Sequence, residues 1–148
     1  MSIGNIPNLF ERVVALLGTP DKSPEFLQLV DDLGEPPNTH YDDLPGTGVH
    51  WFTKANFDLN VFEGKFAWAC ASSKDDEFQF YGLPDGITSD DRRADVQRKL
   101  CSYPTRHGVA RRDRPRVDHY VIQGVRVSFW FEATSERMCY VRIDLRTW

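Results

Sequence analysis

The chain has 148 residues, 41% hydrophobic and 13% aromatic, with a formal net charge of -4. That length and composition suit a single globular domain over 1–148 and exclude a disordered chain or a disulfide-stapled miniprotein. No apolar run approaches the ~18 residues of a membrane helix, and Met1–Asn5 lacks the basic and apolar regions of a signal peptide, so a soluble cytoplasmic protein is expected.

Ile6, Leu9, Phe10, Val13, Val14 and Leu17 recur at helical spacing, and Gly18 is a natural stop. A second helix opens with Ser23 as N-cap and Pro24 at its first position. Its apolar stripe is Phe26, Leu29, Val30 and Leu33, and Gly34 with Pro36-Pro37 ends it. Asn38 to Gly48, rich in Asp, Pro and Gly, is expected to be a loop. Strands are then expected at about Val49–Thr53, Phe57–Phe62 and Lys65–Ser72, with Glu63-Gly64 as a hairpin turn. Lys74-Asp75-Asp76-Glu77 is a polar turn, and Phe78–Tyr81 is a candidate further strand.

Ser89-Asp90-Asp91 opens a third helix that runs through Val96 and Leu100, with Arg98 and Lys99 at its negative end. Arg106 to Arg116 is an irregular loop holding five arginines in eleven residues. Strands follow at about Asp118–Gln123, Val125–Glu132 and Arg137–Leu145. The chain therefore presents helix and meander twice, over about 6–81 and 82–148. The expected fold class is α+β: two imperfect repeats of helix plus antiparallel β-meander, with the helices on one face of the sheet.

Period-2 alternation sorts the strand residues. Val125, Val127, Phe129 and Phe131 form a core stripe, opposite Arg126, Ser128, Trp130 and Glu132. In the last strand Cys139, Val141, Ile143 and Leu145 form the apolar set, opposite Met138, Tyr140, Arg142 and Asp144. Phe57, Leu59 and Val61 oppose Asp58, Asn60 and Phe62. Aromatic residues interleaved with charge on an open sheet face are the residue types of a protein-binding surface.

Charge is unevenly spread: residues 1–90 carry 5 Lys/Arg against 15 Asp/Glu, and residues 91–148 carry 13 against 7. Such asymmetry steers a charged partner or holds the two halves together. His40, His50, His107 and His119 stand singly, and Cys70, Cys101 and Cys139 lack CxxC spacing, so no metal is expected and the cysteines read as small buried hydrophobes. The acidic pairs lack calcium-loop spacing. No Gly-rich phosphate loop or GxSxG motif is present, and no cofactor is expected.

Leu33-Gly34-Glu35-Pro36, and more loosely Leu100-Cys101-Ser102-Tyr103-Pro104 with Cys in place of Gly, follow capped helices and precede meanders. In this the chain resembles the tandem helix-plus-meander units of the β-lactamase inhibitor protein and related outer-membrane assembly lipoproteins, over about residues 17–145. Tyr81-Gly82-Leu83-Pro84-Asp85-Gly86-Ile87 and Asp118-His119-Tyr120 also resemble small immunity proteins that neutralise bacterial polymorphic toxins. The resemblance implies a non-catalytic protein that occludes the active site of a cognate toxin or effector. Expected partner contacts are Trp130, Tyr140 and Arg142 on the sheet and Asp42, Asp43, Asp75 and Asp76 on acidic loops, which would suit a cationic nuclease. Two alternatives stand beside it: a small enzyme with a pocket between the repeats, using Asp118 and His119 or a Cys101 or Cys70 nucleophile, and a nucleic-acid-binding module using the Arg106–Arg116 loop.

Overall fold

The computed structural model describes residues 9–34, 37–52, 57–72, 83–108 and 114–145, with the side chains of 51–52 left aside. Helices α1 (Leu9–Leu16) and α2 (Pro24–Asp32) precede strands β1 (Asn38–Tyr41), β2 (Gly48–Phe52), β3 (Phe57–Phe62) and β4 (Lys65–Ser72). Helix α3 (Arg93–Lys99) precedes β5 (Thr105–His107), β6 (Arg116–Ile122), β7 (Val125–Phe131) and β8 (Met138–Asp144). The strands form one eight-stranded antiparallel sheet in the order β1-β2-β3-β4-β8-β7-β6-β5. Two four-stranded meanders thus meet along β4 and β8, and the chain is an α+β fold.

Local chemistry explains the elements. The Ser23 hydroxyl accepts the Phe26 amide at 3.2 Å, and Pro24 occupies a first-turn position that needs no donor. The tight hairpins β3–β4 and β6–β7 turn on Glu63-Gly64 (φ 51° and 77°) and Gln123-Gly124 (φ 52° and 79°). Two successive positive φ values give a turn whose twist matches the strands, and glycine adopts the second without a Cβ clash.

Helix α3 starts later than its acidic run suggests. Thr88 to Asp91 forms a turn in which Asp91 accepts the Thr88 amide, and Asp91 also pairs with Lys99 at 2.8 Å. The helix begins at Arg93, and the Asp95 carboxylate accepts the Arg92 amide at 3.0 Å. The Asn38–Gly48 stretch is likewise not all loop, since Asn38–Tyr41 pairs with Gly48–Trp51 as an edge strand. The basic stretch is bounded by two paired strands, β5 and β6. The candidate strand at Phe78–Tyr81 lies outside the described residues.

One hydrophobic cluster holds Phe10 and Val13 of α1, Phe26 and Leu29 of α2, Val96 of α3, and the inward residues of the sheet. Phe26 packs at a tilt against Phe66 of β4 with ring centroids 5.2 Å apart. The expected stripe Val125, Val127, Phe129 and Phe131 is buried throughout. The end of α1 and the start of α3 are tied to hairpins: Gly18 and Thr19 bond Phe66, and the Arg93 amide donates to the Glu136 carbonyl.

Two β-bulges break the strict alternation. Trp130 pairs with Tyr140, yet Phe131 pairs with Met138, so Cys139 is the extra residue. Met138 therefore turns into the core and Cys139 is only half-buried, the reverse of the expected assignment. Asn60 pairs with Trp68 and Val61 with Phe66, making Ala67 the extra residue of β4. That bulge sends Phe66 inward and leaves Trp68 on the opposite face. Leu145, expected in the core, follows the end of β8 and is 50% exposed. No helix among the described residues is long and apolar enough to cross a membrane.

Candidate functional site on the outer sheet face

Partners directly opposite in an antiparallel sheet point to the same face, so the register writes out the surface opposite the core as rows. The middle row runs Asp58, Cys70, Arg142, Ser128, His119, Arg106 across six strands. Beside it on one flank lie Ser72, Tyr140, Trp130 and Val117, and on the other Asn60, Trp68, Asp144, Arg126 and Val121. Aromatic side chains therefore flank a polar and charged centre.

The centre is held by specific contacts. Asp144, almost fully buried, receives Arg126 Nη2 at 2.9 Å and lies 2.9 Å from Arg142 Nε. A buried carboxylate needs such cations to remain ionised. The Arg142 guanidinium also lies over the Trp68 ring, 4.7 Å from its centroid, a cation–π contact. Geometry leaves the Nε donors of both Arg126 and Arg142 without a well-aligned acceptor among the described residues. Tyr140 stands edge-on to Trp130 at 4.9 Å, and Trp130 edge-on to His119 at 6.3 Å. His119 Nδ1 meets Ser128 Oγ at 2.6 Å. Burial, and then the neighbouring Arg126 charge, holds the His119 pKa below its ordinary value. Burial lifts the Asp58 carboxyl.

A groove of about 390 Å³ opens at the ends of β4 and β8. Phe62, Lys65, Trp68, Arg142, Asp144 and Leu145 line it. Phe62 is 46% exposed there, so the groove joins two uncovered apolar side chains to the edge of the arginine cluster.

The structure brings Trp130, Tyr140 and Arg142 together, three of the contacts expected from sequence. Asp42 and Asp43 lie elsewhere. They are exposed in the β1–β2 connection with Tyr41 and Leu44, and His40 Nε2 approaches Asp42 at 3.4 Å. Four strand spacings, roughly 19 Å, separate β1 from β8. Asp75 and Asp76 lie outside the described residues. Trp68, Arg126 and Asp144 complete the cluster without having been singled out. The Ala67 bulge hid Trp68, because plain alternation gives it the same face as Phe66.

Asp118 and His119 do not form an acid–base pair, because adjacent strand residues face opposite ways. Asp118 is 0% exposed on the core side, bonded by Arg93 Nε and Nη2 at 2.9 and 2.8 Å and by His107 Nδ1 at 2.9 Å. Burial alone would raise its pKa, but the Arg93 and His107 contacts outweigh that and hold the carboxyl low. Cys70 lies buried between Asp58 and Arg142, and burial pushes its thiol up to about 11, far from a thiolate nucleophile at neutral pH. Cys101, expected to be buried, is exposed beyond α3. From the basic stretch, Arg106 and Arg114 are exposed and Arg116 pairs with Glu136 at 2.8 Å, while 109–113 lie outside the described residues. No cluster of three or more His, Cys, Asp or Glu side chains among the described residues is arranged to hold a metal ion. Comparison with known protein families, curated proteins and solved structures yields no match.

Proposed function

We propose that this is a non-catalytic binding protein, cytoplasmic and bacterial, that neutralises a cognate toxin or effector by covering its active site with the outer sheet face. The observation that carries this function is the association of Trp68, Arg142, Tyr140 and Trp130 on one face, each pinned by a ring or ion contact to a neighbour. Trp, Tyr and Arg are the side chains that dominate interface energetics, and anchors already fixed in place lose little entropy on docking. The two successive units of helix and four strands support a duplicated origin and so the tandem-repeat resemblance. An interface of standard size, ~1,600 Å² in total, fits a sheet of this width.

Affinity capture from the native lysate with the full chain tests it, followed by co-expression of the captured protein with and without this one. The expected result is one stoichiometric partner whose toxicity or enzymatic activity is suppressed on co-expression. A partner that keeps its full activity in the complex would contradict inhibition.

A further inference from the structure

The outer face carries a charge opposite to that of the whole chain. Among the described residues it presents Lys65, Arg106, Arg126 and Arg142 against Asp58, Asp144 and the exposed Glu63 at the groove rim, in a protein of net charge -4. Of the acidic residues that suggested a cationic target, Asp42 and Asp43 sit on the β1–β2 connection, four strands from β8 and tied to the β3–β4 turn by the Gly64 amide on the Gly46 carbonyl, and Asp75 and Asp76 lie outside the described residues. The docking surface and the acidic β1–β2 connection therefore select partners of opposite sign.

Resting on the docking role proposed above, we infer that the outer face receives an acidic loop of the partner protein, with a carboxylate on Arg142 and an adjacent bulky apolar side chain in the groove of Phe62, Trp68 and Leu145. Arg142 is the fitting anchor: its side chain keeps 27% exposure, its plane is fixed by Trp68, and a planar fork matches a carboxylate. Asp144 keeps the arginines in position while neutralising only one of their two charges. The groove beside it supplies apolar walls for a single side chain. A nucleic acid is the less suited polyanion. Arg126 and Arg142 converge on one carboxylate instead of lining a track, and the chain as a whole repels a polyphosphate.

The test pans short random phage-displayed peptides against the full chain and measures the enriched peptides on purified variants. Enriched peptides should carry Glu or Asp next to a bulky apolar residue. Their affinity should fall at least about tenfold with Arg142→Ala and with Phe62→Ser, and stay unchanged with the Asp42→Asn/Asp43→Asn double variant. Arg142→Lys, which keeps the charge but not the fork, guards against a folding artefact and should give a partial loss with an unchanged circular dichroism spectrum. Basic peptides, peptides indifferent to both Arg142 variants, or equal competition by oligothymidylate would overturn the inference. Peptide affinity unchanged in a chain ending at Leu145 places the occupant outside this chain. Peptide affinity markedly raised by that truncation would instead assign the groove to residues 146–148 and overturn it. A native toxin that binds but ignores Arg142→Ala and the acidic peptides would sink only this inference. Acidic peptides that bind as described, beside a captured partner left uninhibited, would sink only the inhibitory role.

Discussion

Arg93 and Asp118 form the most consequential residue pair in the core. The carboxylate is fully buried, the Arg93 side chain is 13% exposed, and the contact has two parallel N–H···O bonds. Removing one partner leaves a buried charge alone, which costs about 3–5 kcal/mol, whereas replacing both by apolar groups is close to neutral. Arg93→Met is therefore expected to lower the urea midpoint severely, and Arg93→Met/Asp118→Leu to recover much of the loss. A double variant no better than the single one would show that the pair itself, and not the orphaned charge, carries the stability. The cysteines separate at the same scale. Native-state labelling with a thiol reagent should modify exposed Cys101 first and buried Cys70 last, with Cys70 protected until the protein unfolds.

The β6–β7 hairpin turns on Gln123-Gly124, where glutamine sits at φ 52° in a position that asparagine fills with less strain. Gln123→Asn should raise stability by a few tenths of a kcal/mol, and Ser23→Ala, which removes the α2 cap, should lower it by about 1 kcal/mol. Thermal melts of the two variants should move in opposite directions. These signals are local, which is why the α2 start and the strands Phe57–Phe62 and Lys65–Ser72 were legible from the chain alone. The core stripe of β7 was legible for the same reason, as uninterrupted alternation. What alternation could not carry was the parity change at Ala67 and Cys139. A bulge is a relation between two strands, and neither strand writes it in its own residues. Trp68 and Met138 were placed wrongly or not at all on that account. Pairing Asp118 with His119 as acid and base went against that same alternation, and the partners Arg93 and His107 come from elements distant in sequence. Edge strand β1 escaped because its four residues are all exposed and show no hydrophobic period.

Among the described residues His50, His119 and Asp118 favour neutral pH, while Asp58, whose carboxyl burial lifts, opposes them in the acid range. Burial is the main cause that holds His50 and His119 below the ordinary 6.5, so the unfolded chain binds protons that the folded one refuses. Their contribution to stability is full above about 6.5 and is lost as pH falls through the folded values. Asp118 acts in the same direction at lower pH, because its folded pKa lies below 3.8: its contribution is full above that value and disappears as the carboxyl protonates. Urea denaturation should therefore show stability rising with pH across the histidine range up to neutrality, and His119→Asn should flatten part of the slope below about 6.5. An unchanged slope would mean that His119 titrates alike in both states.

The same charge layout gives the molecule two faces of opposite character, acidic at the β1–β2 edge and cationic across β7 and β8. Placing the partner on the cationic, aromatic face is the central claim. The most direct measurement is parallel affinity capture from one native lysate with three baits: the wild-type chain, Trp130→Ala/Arg142→Ala, and Asp42→Asn/Asp43→Asn, each first checked for a native circular dichroism spectrum. The account predicts one partner retained by the wild type and by the aspartate variant, and lost by the outer-face variant. Retention by the outer-face variant, with loss from the aspartate variant, would contradict it and move the docking surface to the β1–β2 edge.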